Sequence, residues 1–322
     1  MAKAIRIHAP GGPEALTWEE IEVGAPGKGE VRIRHEAVGL NYIDVYDRSG
    51  LYPMAMPACL GREAAGVVVA AGRGARFREG DRVAYVHTPG SYCEERVMPA
   101  DRLVRVPEGI SSAQAAAMML KGLTAHYLLR RTYRVRKGDP VLIHAAAGGV
   151  GLIAVQWAKH LGATVIGVVG SDAKAELVRE HGADHVIVTP REDFTARVRE
   201  ITGGAGVPVA YDSVGKDTFF ASLDCLRPLC MMVTYGNASG PPPLFSPMEL
   251  AKRGSLFLTR PSLFAYIAAR KDLDSAAREL FAVVLGGAVR IRIGQTYALA
   301  DAASAHRDLE ARRTTGSTVL VP

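Results

Sequence analysis

Short strand-like runs broken by Gly and Pro fill the first third of the chain. The alternation in Ala2-Lys3-Ala4-Ile5-Arg6 reads as an opening strand, and residues 31–35, 65–70 and 81–86 read as further strands. The last of these is entered through the turn-prone pair Glu79-Gly80. That pattern predicts a compact β-rich unit. Ser111-Ser112-Ala113-Gln114 has the form of a capping box, and it predicts a helix through the Ala-rich stretch that follows.

The periodicity changes in the middle third. An apolar strand over 140–144 runs into Gly148-Gly149-Val150-Gly151, then a helix over 152–161 that stops at Gly162. A strand over 164–169, a helix over 173–181 and a strand over 185–188 follow. Strand, glycine turn, helix and strand within about 30 residues is the βαβ unit of a doubly wound parallel sheet. Residues 207–211 and 229–235 predict two more parallel strands, with a helix over 217–226 between them. Beyond Pro261, helices are expected over 263–270 and 274–285, and a final strand over 318–321. This tail is too short to hold its own core, so the β-rich part is its natural host. The expectation is an α/β protein with a discontinuous β-rich domain, 1–124 and 262–322, around a coenzyme domain at 125–261.

Composition narrows the partners. A charge of +6 mildly favours anionic ligands, but Lys and Arg are scattered among acids with no long basic run, so nucleic acid is not expected. No apolar run reaches the roughly 18–20 residues of a membrane span, and the first residues lack the apolar core of a signal peptide. The four cysteines, Cys59, Cys93, Cys225 and Cys230, form no C-x-x-C pair. These features predict a cytoplasmic protein with reduced thiols.

Ala146-Ala147-Gly148-Gly149-Val150-Gly151 is a dinucleotide-binding fingerprint with Ala in the first glycine position. Gly148 lets backbone approach a pyrophosphate, the helix beyond offers its N-terminal amides, and Gly151 lets that helix lie close to the strand. The second strand ends Val168-Val169-Gly170-Ser171 with no acid at its tip. Gly170 leaves room, Ser171 can donate a hydrogen bond and Lys174 can reach a phosphate, which together favour NADPH over NADH. Asp172 is assigned to capping the next helix.

The ordered motifs Gly39-Leu40-Asn41-Tyr42-Ile43-Asp44, Arg48-Ser49-Gly50-Leu51-Tyr52-Pro53, Gly61-Arg62-Glu63-Ala64-Ala65-Gly66, Leu120-Lys121-Gly122-Leu123-Thr124-Ala125 and Tyr211-Asp212-Ser213-Val214-Gly215 span nearly the whole chain. In them, and in the glycine loop, the chain resembles the medium-chain dehydrogenases/reductases, and among these the zeta-crystallin-like quinone oxidoreductases. The resemblance implies a GroES-like catalytic domain built from both chain ends, a Rossmann coenzyme domain, and a homodimer whose coenzyme and substrate share an interdomain cleft. Zinc alcohol dehydrogenases of this superfamily carry Cys where this chain has Asn41 and His where it has Arg62, neither of which is a zinc ligand here. A zinc-free enzyme is therefore expected, acting on a quinone or another conjugated carbonyl that needs little polarisation.

The resemblance also implies site residues. Asn41 and Tyr46 would orient the nicotinamide end, Tyr52 would hydrogen-bond a quinone oxygen, and Tyr42 and Asp44 would line the same segment. For each tyrosine the alternative is ring packing with a locally satisfied hydroxyl, and for Asp44 a turn anchor. Thr124, Tyr127, Ser213, Val214, Asn237, Ser239, Gly240, Arg260, Pro261 and Ser262 would contact coenzyme, and Arg312 would reach its 2′-phosphate. Relatives usually carry a tyrosine after the third Rossmann strand; here the stretch reads Val188-Thr189-Pro190-Arg191, and Arg191 could replace it. Three functions follow: NADPH-dependent quinone reduction, reduction of an enone or enal double bond, or a structural or RNA-binding protein of the zeta-crystallin type.

Overall fold

The computed structural model describes all residues, Met1–Pro322. The chain divides into two compact units. The first comprises Met1–Lys121, Ile267–Phe281 and Ile291–Pro322, and the second Gly122–Tyr266 and Ala282–Arg290.

The first unit is the GroES-like β-rich one. Its seven-stranded sheet is centred on the long strand Glu30–Leu40, which pairs antiparallel with Glu63–Ala71, Glu95–Pro99 and the terminal strand Ser317–Val321. The alternating Val31 and Ile33 are fully buried and join Leu60, Tyr85, Tyr92, Met98 and Leu320 in the core. A separate three-stranded sheet sets Ala2–Ile7 between Thr17–Ile21 and Ala58–Cys59. The expected capping box is present: the Ser111 backbone N–H donates to Gln114 Oε1 (3.0 Å), and the Gln114 N–H donates to Ser111 Oγ (3.1 Å). It opens the helix Ser112–Tyr127.

The second unit is a Rossmann domain. Six parallel strands lie in the order His185–Val188, Thr164–Val169, Pro140–Ile143, Val207–Asp212, Leu226–Thr234 and Phe257–Thr259. This is the doubly wound order, with its crossover point beside the glycine-loop strand. The sixth strand was not expected, because three residues carry too little alternation to register. The helix expected over 217–226 is shorter, Phe219–Asp224, because the next strand begins early at Leu226 and is broken by Leu229 at φ +60°. Near the end of the chain, the short helix closes at Tyr266 and the long one starts early, at Arg270. The Arg270 guanidinium fixes that start by bonding the Asp101 and Leu103 carbonyls and pairing with Asp274. No helix is long and apolar enough to cross a membrane.

Residues 282–290 do not join the β-rich unit as the tail was expected to, and the units part after Lys121, not after residue 124. Gln156, buried on the helix Gly149–His160, explains the first difference: its Nε2 donates to the Arg290 carbonyl (3.1 Å) and its Oε1 accepts from the Arg290 N–H (2.9 Å). Gln156→Leu keeps the volume and strands both backbone groups. The expected cost is about 1–3 kcal/mol, with faster amide exchange confined to Ala282–Arg290; unchanged exchange there would show that the pairing does not hold the segment.

Candidate functional site

In the Rossmann unit, Gly148–Gly151, Gly170-Ser171, Ser213-Val214 and Asn237–Gly240 follow the carboxyl ends of parallel strands, whereas Thr124 and Tyr127 lie on the helix Ser112–Tyr127. Gly148 is the N-cap of the helix Gly149–His160, so the first-turn amides of Gly149, Val150 and Gly151 lie at its positive end. A Cβ on Gly151 would stand 2.7 Å from the Ala146 backbone, so the helix seats against the loop only because that side chain is absent. Ala145, just before, takes φ +49°, a conformation glycine usually supplies. These features fit a pyrophosphate cradle.

At the next strand tip, a Cβ on Gly170 would meet open space. Ser171, not Asp172, caps the following helix: Ser171 Oγ accepts from the Lys174 N–H at 3.4 Å. Asp172 instead opens the helix and pairs with Arg191 at 2.7 Å, on an exposed face. Arg191 is thus held over the first turn of that helix, beside Ser171. The loops after the fourth and fifth strands are closed onto each other: the Ser239 N–H and Oγ both donate to the Val214 carbonyl (2.8 and 2.9 Å), and the Ala238 N–H donates to the Ser213 carbonyl. Gly240 carries φ +107° and accepts from the Lys216 N–H, while its own N–H donates to the Asn237 carbonyl. Thr124 is buried. Tyr127 is buried and stacked on Tyr266, with centroids 4.5 Å apart, and burial pushes its phenol up. Arg260 and Ser262 are exposed, and Pro261 is half-buried.

Beneath these loops lies a buried polar cluster that the sequence reading passed over. Asp212 Oδ1 accepts from the Val214 and Gly215 amides (2.7 and 3.1 Å), and Oδ2 accepts from Thr218 and Ser222 hydroxyls (2.7 and 3.1 Å). Because the Ser222 proton is committed to that carboxylate, His144 Nε2, 2.9 Å from Ser222 Oγ, is the donor in their bond. Burial holds His144 below its usual range, hence neutral. The cluster ties the end of the first strand to the turn after the fourth.

In the β-rich unit, Asn41 is the N-cap of the helix Tyr42–Ser49. Asn41 Nδ2 donates to Glu63 Oε1 at 2.8 Å, the same oxygen that receives the Lys121 ammonium at 2.6 Å. The other Glu63 oxygen accepts from the Leu120 N–H at 2.6 Å, and the carboxylate has no exposure to solvent. Arg62 forms a two-bond pair with buried Asp47, both distances 2.8 Å. No group of three or more His, Cys, Asp or Glu side chains is placed to hold a metal ion.

Asp44, fully buried, accepts on Oδ2 from the Asn41 N–H (2.9 Å) and the Tyr92 hydroxyl (3.0 Å). Burial raises its carboxyl from 3.8 to about 7. Tyr92 also meets His306 Nε2 (3.0 Å), and His306 Nδ1 meets Arg48 Nη1 (3.0 Å), with Arg48 bonded twice to Glu310. Tyr46 sits between Tyr42 and Tyr52, with centroid distances of 5.6 and 5.4 Å. Tyr46 is buried, whereas Tyr42 and Tyr52 are half-buried. Burial and Glu310 raise the Tyr42 phenol, against Arg312 and Arg48. Arg312 itself follows the helix Ala302–Glu310 at φ +59°, and belongs to the first unit, whereas Ser171 and Lys174 belong to the second. Glu63, Lys121, Tyr92, His306 and Asp212 had been assigned no role. Glu63, Lys121 and Asp212 fall inside the motifs quoted above, whereas Tyr92 and His306 gave no local signal.

Two outcomes follow from the β-rich unit. Glu63→Gln leaves the Lys121 ammonium buried without its counter-charge, at an expected cost of about 3–5 kcal/mol; adding Lys121→Met should recover part of it, and a double variant no more stable than the single would refute the pairing. Asp44 binds its proton more tightly in the folded protein than in the unfolded chain, so its contribution to stability is complete below about pH 4 and lost as pH rises through 7. Between pH 5 and 8, denaturation should therefore show the parent losing about 2–3 kcal/mol relative to Asp44→Asn; parallel pH profiles would contradict the raised carboxyl.

Known proteins share this architecture. Residues 27–108 match the family model described as alcohol dehydrogenase GroES-like domain, and residues 149–280 that described as zinc-binding dehydrogenase. The chain is 52% identical to a quinone oxidoreductase of Pseudomonas aeruginosa, over 100% of both chains. It is 47% identical to a 2-haloacrylate reductase of a Burkholderia species, over 100% of this chain and 99% of that one. A solved structure of Escherichia coli quinone oxidoreductase complexed with NADPH matches with TM-score 0.98 at 46% identity, over 100% of both chains. With both domains, their order and the full length in common, the chain belongs to the quinone oxidoreductase family of the medium-chain dehydrogenases/reductases.

Proposed function

We propose that the protein is an NADPH-dependent quinone oxidoreductase. The observation that carries this reading is the second strand tip, Gly170-Ser171 with Lys174 on the next turn and no acid at its end, beside the cradle of Gly148–Gly151. First-turn amides take the pyrophosphate, and the Ser171 hydroxyl and Lys174 ammonium take the 2′-phosphate. Asp212 fixes the turn at Ser213 and Val214 through two backbone amides. Bound here, the reduced nicotinamide supplies the hydride or electrons. A quinone is electrophilic enough to accept them with hydrogen bonds alone, so Tyr52 donates to a quinone oxygen while Asn41 and Tyr46 orient the reacting ends.

The reaction is read as zinc-independent. Asn41 and Arg62 stand at the two ligand positions of the zinc enzymes, and their side chains are engaged by Glu63 and Asp47. A homodimer is favoured by the uncapped edge strand Phe257–Thr259, whose Phe257 is 58% exposed. Exposed Leu244 and Met248 belong to the same unit. The pairing of Arg197, Arg253 and Arg313 with acids supports a small-molecule acceptor over nucleic acid, and four free thiols support a cytoplasmic setting. Reduction of an activated double bond is the second reading, favoured by the 47% identity to a 2-haloacrylate reductase.

Loss of NADPH and NADH absorbance, followed in parallel against a benzoquinone, an enone and a haloacrylate, separates these readings. Rapid NADPH oxidation with the quinone is expected; turnover with the alkenes alone would establish the second reading. Lys174→Ala is expected to lower kcat/KM for NADPH by about tenfold or more and leave that for NADH unchanged. An undiminished preference for NADPH would remove the phosphate-site assignment.

A further inference from the structure

We propose that Cys59 and Cys93 form an oxidisable dithiol, which closes to a disulfide on reaction with hydrogen peroxide. The sequence separates these residues, but the fold sets them end to end along one strand. Ala2–Ile7 has Thr17–Ile21 on one edge, and on the other Cys59 lies opposite Arg6 and Cys93 opposite Ala4, both antiparallel. Positions 4 and 6 of a strand face the same side, so their directly opposed partners do too. Two residues along a strand span about 6.6 Å, within the Cα separation of about 4.4–6.8 Å that a disulfide bridges. Cys59 Sγ lies 3.5 Å from the Tyr92 carbonyl oxygen, in the peptide that leads into Cys93.

The surroundings divide the labour between them. The neighbouring Cys93 thiol, with help from the Arg96 and Arg6 charges, lowers the Cys59 thiol despite its burial. Cys93 is buried, its Sγ 3.2 Å from the Gly90 carbonyl oxygen and 3.9 Å from His35 Nδ1, and is held up as a thiol by Cys59 and by burial. His35 adds no positive charge: burial lowers it to about 4, and its Nδ1 donates to the Cys93 carbonyl at 2.7 Å. Cys59, half-buried, is therefore the attacking sulfur, and Cys93 the resolving one.

The Cys59 thiolate attacks one peroxide oxygen: the S–O bond forms, the O–O bond breaks, and the departing hydroxide takes up the proton Cys59 had released. Cys93 sulfur then attacks the Cys59 sulfenic acid; the S–S bond forms, the S–O bond breaks, and hydroxide leaves as water with the Cys93 proton. Two thiols and one peroxide give one disulfide and two waters. The choice of oxidant rests on the proposed function, since hydroquinone products pass electrons to oxygen and generate peroxide. The thiol chemistry is measured without coenzyme or quinone, so its failure is distinct from failure of that function.

The test is a thiol count on the reduced full-length protein after graded peroxide, by alkylation in denaturant and mass spectrometry. The expected result is loss of two of the four thiols, a non-reduced peptide joining Cys59 to Cys93, and full recovery with dithiothreitol. Cys93→Ala should stop at a dimedone-reactive Cys59, and Cys59→Ala should leave Cys93 unmodified. Four thiols still alkylatable over the same range, a bridge joining other cysteines, or two thiols lost in Cys93→Ala would each overturn the proposal.

Discussion

The β-rich unit depends on a single buried carboxylate. Glu63 has no contact with solvent, and its two oxygens receive the Asn41 amide, the Lys121 ammonium and the Leu120 N–H. Three chain segments far apart in sequence are thereby fixed to one point. Gly39 shows how tight this point is: it pairs with Glu63 across the sheet, and a Cβ there would come within 2.6 Å of the Glu63 carboxyl carbon. A buried ion pair adds little net stability against an apolar replacement, but losing one member leaves a charge with nothing to balance it. What Glu63 contributes is therefore placement: it sets the Asn41 amide at the start of the helix that carries Tyr46.

The Rossmann unit solves its positioning problem without an ion pair. Asp212 is wholly buried, yet all its bonds come from two amides and two hydroxyls. Its carboxylate acts as a cap for a turn, and His144, kept neutral by burial, closes the far side through Ser222. Neutral donors alone hold this carboxylate in place without a counter-ion, and the helix after the glycine loop presents its own amides at its positive end.

The fold was largely readable because its period is local. A strand, Gly148–Gly151 and a helix follow one another within a few residues, and steric demand at Gly151 is the same demand the fingerprint encodes. Phe257–Thr259 escaped because three residues show no alternation, and residues 282–290 were misplaced because the amide that binds them, on Gln156, is 134 positions from Arg290. The site divides in the same way. The strand tip at Gly170-Ser171 is local and was readable, though Ser171 took the capping role assigned to Asp172. Tyr92 and His306 stand 214 positions apart and have no shared pattern, and Cys59 and Cys93 looked isolated because only the edge of Ala2–Ile7 brings them together.

The chain from Arg48 to Asp44 has a direction that its chemistry alone determines. A guanidinium can only donate, so His306 Nδ1 must accept from Arg48 and the ring proton must sit on Nε2. Nε2 then donates to the Tyr92 oxygen, and the Tyr92 proton goes to Asp44 Oδ2. Burial and the Arg48 charge lower His306 to about 3, so it stays neutral and the tautomer holds across ordinary pH. Glu310 balances the Arg48 charge through two bonds. The C-terminal helix thus acts on the N-terminal one through a line of oriented dipoles, and the carboxyl at its end, raised to about 7, is the one member that changes protonation near neutrality. That carboxyl also accepts the Asn41 N–H. Whether it carries a proton bears directly on the start of the Asn41 helix, while the rest of the line keeps its protons in place.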